Sequence, residues 1–400
     1  MNDTSRSYSK KKQDVVRLLF ITFCCCLCQN SMNSVLAVYI DSMGYSTTMS
    51  GYMSLSFTVF AIILRLAAGF YSDTVSRRNV LVFGCLLFSL SALFFGLVPL
   101  IGLLVLFRGL QGGGYSIAHT ATSAVCADLA PKGKLTVFMN LFWGVNTITI
   151  GCSGFIAQFF ISANKHQGAF YMACVVMVAA LLISLSLRYE SNSTNKQDKP
   201  ARIKRTAGEM LHSVIDKKSL PAFLILFIIG LSHSAPAIYV FVYAQSLGYN
   251  GLFGPYNLVA AIFMVIGNFV NPIIMKKIGF LPLLVAVVLL FGVSLAFLTT
   301  GRLVAFYFEA ACFGLLIGVT FPMLNMLGVE GLPFNRRGAG SGTVLLALDF
   351  GVGVGGFVFG ALITAFSFDV TFFLAASCTL VAAALAIVLF RKRNSRLLGR

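Results

Sequence analysis

Twelve long apolar stretches divide this chain of 400 residues, near positions 16–40, 49–71, 79–98, 101–127, 135–162, 167–188, 220–247, 251–275, 279–300, 302–329, 338–363 and 368–390. A helix crosses the hydrocarbon core of a bilayer in about 20 residues, so each stretch is long enough to span it. In lipid every backbone N–H and C=O must be satisfied within the spanning element, and runs of this length achieve that only as helices. The predicted fold is therefore an all-α membrane protein of twelve transmembrane helices. Composition also excludes a water-soluble globule: 58% of the residues are hydrophobic and only 11% charged, where soluble domains carry about a quarter.

The net charge of +17 would suggest a nucleic-acid partner in a soluble chain, but here its distribution reports topology. An even number of spans puts both termini on one side. Of the 30 Lys and Arg, 26 fall on that side, leaving Lys165 and Arg302 on the other and Arg65 and Arg108 within spans. By the positive-inside rule the tails, 1–15 and 391–400, are expected in the cytoplasm, with no nucleic-acid partner. Residues 1–13 are polar and the apolar run after them is too long for a signal-peptide core, so the first span is expected to stay in the membrane. Cys24, Cys25, Cys26 and Cys28 lack metal-site spacing and oxidising surroundings, and read as small packing residues.

A polar, charged stretch, 189–219, separates six spans from six, so the expected organisation is two bundles, 16–188 and 220–390, joined by a cytoplasmic linker. The halves are repeats. Tyr39-Ile-Asp-Ser-Met-Gly-Tyr45 with Tyr52 matches Tyr243-Ala-Gln-Ser-Leu-Gly-Tyr249 with Tyr256. Asp128-Leu-Ala-Pro131 likewise matches Glu330-Gly-Leu-Pro333, and Gly151 and Gly154 match Gly353 and Gly356. Parallel six-span repeats build a central cavity near the midplane that opens to the two sides in turn as the halves rock.

A charge at a helix centre costs roughly 2.5–3.5 kcal/mol on insertion scales, so each one needs a polar environment. Arg108 lies about 10 Å below the outer surface, and the repeat puts Glu309 at the matching depth. The two are expected to line the cavity from opposite sides. Glu309 would take up a proton or a cationic group, and Arg108 would bind an anionic group or tune a nearby acid. The plainer alternatives are a fixed ion pair and, for Arg108 beside Gly109 and Gly112 to Gly114, a role in backbone contacts. Asp349, near mid-membrane, either titrates or fixes its helix. Arg65, near the cytoplasmic end of its span, is expected to reach out to the surface.

His119 and His233 are candidate proton relays, the alternative being packed, hydrogen-bonded histidines; Ser232, Ser234 and Pro236 suggest an open polar face around His233. Gln29, Asn30, Asn33 and Gln111 are expected to give the cavity a polar lining. Tyr115, Tyr239 and Tyr243 would stack on a substrate or simply pack. At the cytoplasmic side Gly69 permits close helix approach, and Asp73 can pair with Arg77 or Arg78. Asp128 is placed to accept from the same arginines, and Glu330 from Lys276 and Lys277, forming a charged gate.

The stretch Gly69-x-x-x-Asp73-x-x-x-Arg77-Arg78, between the second and third spans, resembles the signature of the major facilitator superfamily, and the likeness covers essentially the whole chain. Arg108-Gly-Leu-Gln111-Gly112-Gly113-Gly114 is similar to that family's fourth-helix motif. Arg65 and the pattern Asp349-x-Gly351-x-Gly353-x-Gly355-Gly356 with Gly360 look most like its drug/proton antiporter branch. The resemblance implies a secondary transporter working by alternating access, most simply a proton-coupled exporter of small organic compounds. The stretch Ile150-Gly151-Cys152-Ser153-Gly154 lacks the proline usual in antiporters, which keeps uptake by symport open beside export.

A non-transporting sensor or enzyme on the same fold is the reading from another class. Gly338-Ala-Gly340-Ser-Gly342-Thr343 has no Gly-Lys-Ser/Thr after it and opens a span, so no nucleotide site is expected and energy must come from a gradient. No enzymatic activity, cofactor or metal is expected. The expected partners are a small-molecule substrate, protons and the lipid bilayer, with the chain a monomer in a bacterial plasma or inner membrane.

Overall fold

The computed structural model describes residues 2–74, 76–131, 135–187, 219–330 and 337–397, and only the backbone at 2–12, 69–70, 72–74, 135–136, 140, 329, 337–341 and 392–397. Its twelve helices are α1 (Asn2–Ser42), α2 (Thr47–Thr74), α3 (Arg77–Leu97), α4 (Ile101–Leu129), α5 (Leu135–Ser162), α6 (His166–Ser186), α7 (Leu220–Ser246), α8 (Phe253–Ile278), α9 (Phe280–Leu298), α10 (Leu303–Val329), α11 (Arg337–Ala365) and α12 (Phe368–Leu397). Each coincides with an apolar stretch. Among the described residues, eleven are long and apolar enough to cross a membrane. The exception is α4, which has the length, 29 residues, but carries Arg108, Gln111, His119 and a glycine run.

The repeat shows in backbone geometry. Gly44 ends α1 with φ +80°, and Gly248 ends α7 with φ +85°. In both places the following tyrosine N–H reaches back to close the helix, Tyr45 onto the Ile40 carbonyl at 3.2 Å and Tyr249 onto the Ala244 carbonyl at 2.9 Å. This C-terminal closure requires a left-handed residue, which glycine adopts without a Cβ penalty.

The packing repeats as well. In the first half α1 lies against α5 and α6, α2 against α4, and α3 against α4 and α6; in the second, α7 lies against α11 and α12, α8 against α10, and α9 against α10 and α12. The halves meet along α2 and α11 and along α5 and α8, which are equivalent seams under the duplication, and α1 also touches α7.

Both seams are tight on the face opposite the termini. On the first, Thr47 Oγ1 donates to the Gly360 carbonyl at 3.0 Å and Thr48 Oγ1 to Thr364 Oγ1 at 2.8 Å. On the second, Asn257 Nδ2 donates to Ser153 Oγ at 3.2 Å and also to Ser34 Oγ of α1 at 3.3 Å, and the Gly254 N–H donates to Gln158 Oε1 at 3.1 Å. A Cβ on Gly51 would sit 2.7 Å from the Gly356 carbonyl, so the first seam is glycine against glycine. Small residues permit such backbone approach in lipid.

Candidate functional site

The polar residues of α1 and α4 converge into a closed hydrogen-bonded ring. Arg108 and Gln111, three apart on α4, share one face, as do Gln29 and Asn33, four apart on α1. Arg108 Nη1 donates to Gln111 Oε1 at 2.5 Å, Gln111 Nε2 to Gln29 Oε1 at 3.1 Å, and Gln29 Nε2 to Asn33 Oδ1 at 3.1 Å. Arg108 Nη2 closes the ring by donating to the same Asn33 oxygen. Arg108 is only 3% exposed, and its guanidinium lies 4.7 Å from the centre of the Phe57 ring, an arrangement that favours a cation. The glycines beside it are steric requirements: a Cβ on Gly112 would fall 2.5 Å from the Phe57 carbonyl. Asn30, a turn earlier on α1, donates to Thr149 Oγ1 of α5 at 3.0 Å.

Glu309 is fully buried in the other half. Tyr256 of α8 donates its hydroxyl proton to Glu309 Oε2, and Oε1 is buried without a hydrogen-bond partner in the protein. Arg108 and Glu309 thus occupy matched positions, but no ion pair joins them. Each is held by groups of its own half, so the fixed ion pair entertained from the sequence is not formed.

The charge that does cross the seam is elsewhere. Arg65 of α2 pairs with Asp349 of α11 at 2.6 Å, and its Nε donates to Ser116 Oγ of α4 at 2.9 Å. Arg65 therefore turns inward instead of reaching for the surface, because a carboxylate from the other half and a buried hydroxyl satisfy it there. Asp349 fixes its helix to α2 in this state, and Thr58 Oγ1 adds a bond to its carbonyl at 3.4 Å.

The structure moves several expected lining residues out of that role. Tyr239 is buried in the seam, donating to the Gly356 carbonyl at 2.6 Å and the Thr47 carbonyl at 3.3 Å. Tyr243 is buried among Phe306, Phe368 and Phe372, with its hydroxyl on Asp369 at 3.0 Å. No open polar face surrounds His233: its ring stacks on Phe313 at 4.2 Å, while Ser232 turns to the Ala375 carbonyl and Ser234 to the Leu231 carbonyl. Consecutive helical residues point 100° apart, so adjacency in sequence does not make a shared face. His119 sits among Tyr115, Phe142 and Trp143, with ring centres 5.4, 5.0 and 5.8 Å away, and Tyr115 packs further against Phe57 and Phe88.

At the termini face Arg77 pairs with Asp128 at 2.5 Å and donates to the Ala124 carbonyl at 3.1 Å, clamping α3 to α4. Arg78 takes a different partner, the Leu185 carbonyl of α6. Glu330 ends α10 exposed, and Lys276 and Lys277 close the last turn of α8. Gly69 and Asp73 fall where only the helix backbone is described, so their part in the gate lies outside the described side chains.

The Major Facilitator Superfamily model matches residues 18–356, and the chain belongs to that family. It is a transporter, a multi-pass integral membrane protein, and not an enzyme. It is 26% identical over 382 residues to Multidrug resistance protein 2 of Bacillus subtilis (strain 168), covering 88% of this chain and 90% of that one. Its fold is similar to the crystal structure of the nucleoside transporter NupG, with a TM-score of 0.78 at 13% identity over 94% of this chain and 99% of that one. It is also similar to a bacterial homologue of the human lysosomal transporter Spinster in an inward-facing, unoccupied conformation, with a TM-score of 0.73 at 13% identity, covering 96% and 97%.

Proposed function

We propose that this chain exports small organic compounds from the cytoplasm in exchange for protons. The observation that carries this reading is Glu309, a buried carboxyl held on one oxygen by Tyr256 and with its other oxygen unpartnered. A carboxyl with one oxygen held and the other free within the membrane is suited to take and release a proton as its half moves. The likeness to a multidrug resistance protein supports organic compounds as cargo. The halves, 16–188 and 220–390, rock about the two seams, with the termini in the cytoplasm of a bacterial cell and the chain acting as a monomer. Asn33 and Asn30 offer the substrate polar contacts, backed by the buried ring of Arg108, Gln111 and Gln29. The inner gate comprises Gly69, Asp73, Arg77, Arg78, Asp128 and Glu330, and Arg65 with Asp349 ties the two halves together at the inner end of the closed α2–α11 seam.

The missing proline of Ile150-Gly151-Cys152-Ser153-Gly154 favours one second reading, uptake by symport. One assay separates the two. Inside-out vesicles with an acidic lumen should accumulate a quinolone, which carries a carboxylate, if the chain exchanges drug for protons. Accumulation that requires the opposite gradient would establish symport, and accumulation indifferent to the gradient would rule out proton coupling.

A further inference from the structure

The ring on α1 and α4 has a direction. Arginine carries donors and no acceptor, so Arg108 forces the oxygens of Gln111 and Asn33 to face it. Gln111 then spends its Nε2 on Gln29, and Gln29 spends its Nε2 on Asn33, so every amide orientation follows from the arginine. A flipped Asn33 would set its NH2 against two donors. The Asn33 NH2 therefore points out of the ring. Asn33 is exposed while its neighbours Met32 and Ser34 are buried, and α1 is flanked by α4, α5 and α6 of its own half and by α7 of the other. The amide is thus the exposed part of the ring, on the helix that also touches α7 of the other half.

Behind it lies a cation with no counter-ion: among the described residues no carboxylate pairs with Arg108, and its Nε has no partner. An uncompensated buried charge is costly. We propose that Asn33 is the polar anchor of the substrate site, and that it selects compounds bearing an anionic or strongly accepting oxygen group, which the buried Arg108 charge compensates through the amide. The proposal rests on the reading of the chain as a carrier of small organic compounds and names the class it takes.

The test is equilibrium binding to the purified full-length chain in detergent, followed by quenching of Trp143, the single tryptophan. The probes share one ring system and differ in head group: 2-naphthoate, 2-naphthamide and 2-naphthylmethylammonium. The wild type should bind the carboxylate roughly tenfold or more tighter than the ammonium compound, as expected for one charge-assisted hydrogen bond. Asn33→Asp keeps an oxygen facing Arg108 and Gln29 but replaces the outward donor with an acceptor, and should reverse that order. Asn33→Ala should abolish the preference without reversing it. Equal binding of the ammonium probe by the wild type, no binding of the carboxylate, or an unchanged order in both variants would overturn the proposal. Binding is read without a gradient, so failure of proton coupling would leave this result standing, and the reverse also holds.

Discussion

Arg65 and Asp349 form an ion pair across the two halves, α2 to α11, at 2.6 Å, with side chains 22% and 35% exposed. A pair this accessible contributes little by itself as a surface contact, but it bridges elements that must separate for the far face to open, so its effect falls on the balance between states. Asp349→Asn should raise labelling of a cysteine placed at Thr47 in the seam and slow transport by roughly tenfold, within the usual range of pairwise coupling. The charge-swapped double variant, Arg65→Asp with Asp349→Arg, should recover most of that loss. Transport at the wild-type rate in Asp349→Asn would remove the lock from the account.

Gly51 should not tolerate a methyl group. Its Cβ would lie 2.7 Å from the Gly356 carbonyl and 2.8 Å from Phe357 Cα, backbone atoms that cannot move aside. Overpacking of this kind costs about 1–3 kcal/mol, and here it penalises only the state in which the far face is closed. Gly51→Ala should therefore hold that face open, measured as faster modification of cysteines introduced at Thr48 and Thr364, while Gly144→Ala, with open space around it, serves as the silent control.

Tyr239→Phe removes a hydroxyl that donates to carbonyls on both α11 and α2. The cavity left is negligible, so the loss is close to that of the hydrogen bond, about 0.5–1.5 kcal/mol. The midpoint of thermal unfolding in detergent should fall by a few degrees, and the balance should shift in the same direction as in Gly51→Ala. A variant with unchanged cysteine accessibility would show that Tyr239 stabilises only its own half.

The two arginines after the second span should behave differently. Arg77 holds Asp128, whereas Arg78 reaches a backbone carbonyl on α6. In a double-mutant cycle with Asp128→Asn, Arg77→Ala should be strongly non-additive and Arg78→Ala additive, read as transport rate. Equal coupling for both would mean that the pair exchanges partners during the cycle.

The number of spans and the duplication were legible because they depend on local apolarity and on matched residues, and the match that includes Gly44 and Gly248 proved to be a repeated helix-end geometry. The α1–α4 ring was legible in part: the spacing of Arg108 with Gln111 and of Gln29 with Asn33 announces two shared faces, though not that the faces meet. What the sequence hid depended on tertiary contact. Arg65 looked like a surface-seeking arginine because its partner lies in the other half. Tyr256 stood out only as a repeat residue, and its partnership with Glu309 follows from the packing of α8 on α10. For Tyr239 and Tyr243 the sequence left stacking and packing both open, because an aromatic residue's spacing along a helix does not say whether it faces a cavity or a seam; in the structure both pack.

The central claim is that Glu309 couples transport to protons, and Glu309→Gln tests it most directly. The amide keeps the shape and can still accept from Tyr256, but it cannot carry a proton between the two sides. The account predicts that this variant, reconstituted in vesicles, exchanges labelled for unlabelled drug at equal pH within about twofold of the wild type, while an imposed pH gradient drives no accumulation. Gradient-driven accumulation at the wild-type level in Glu309→Gln would contradict the account.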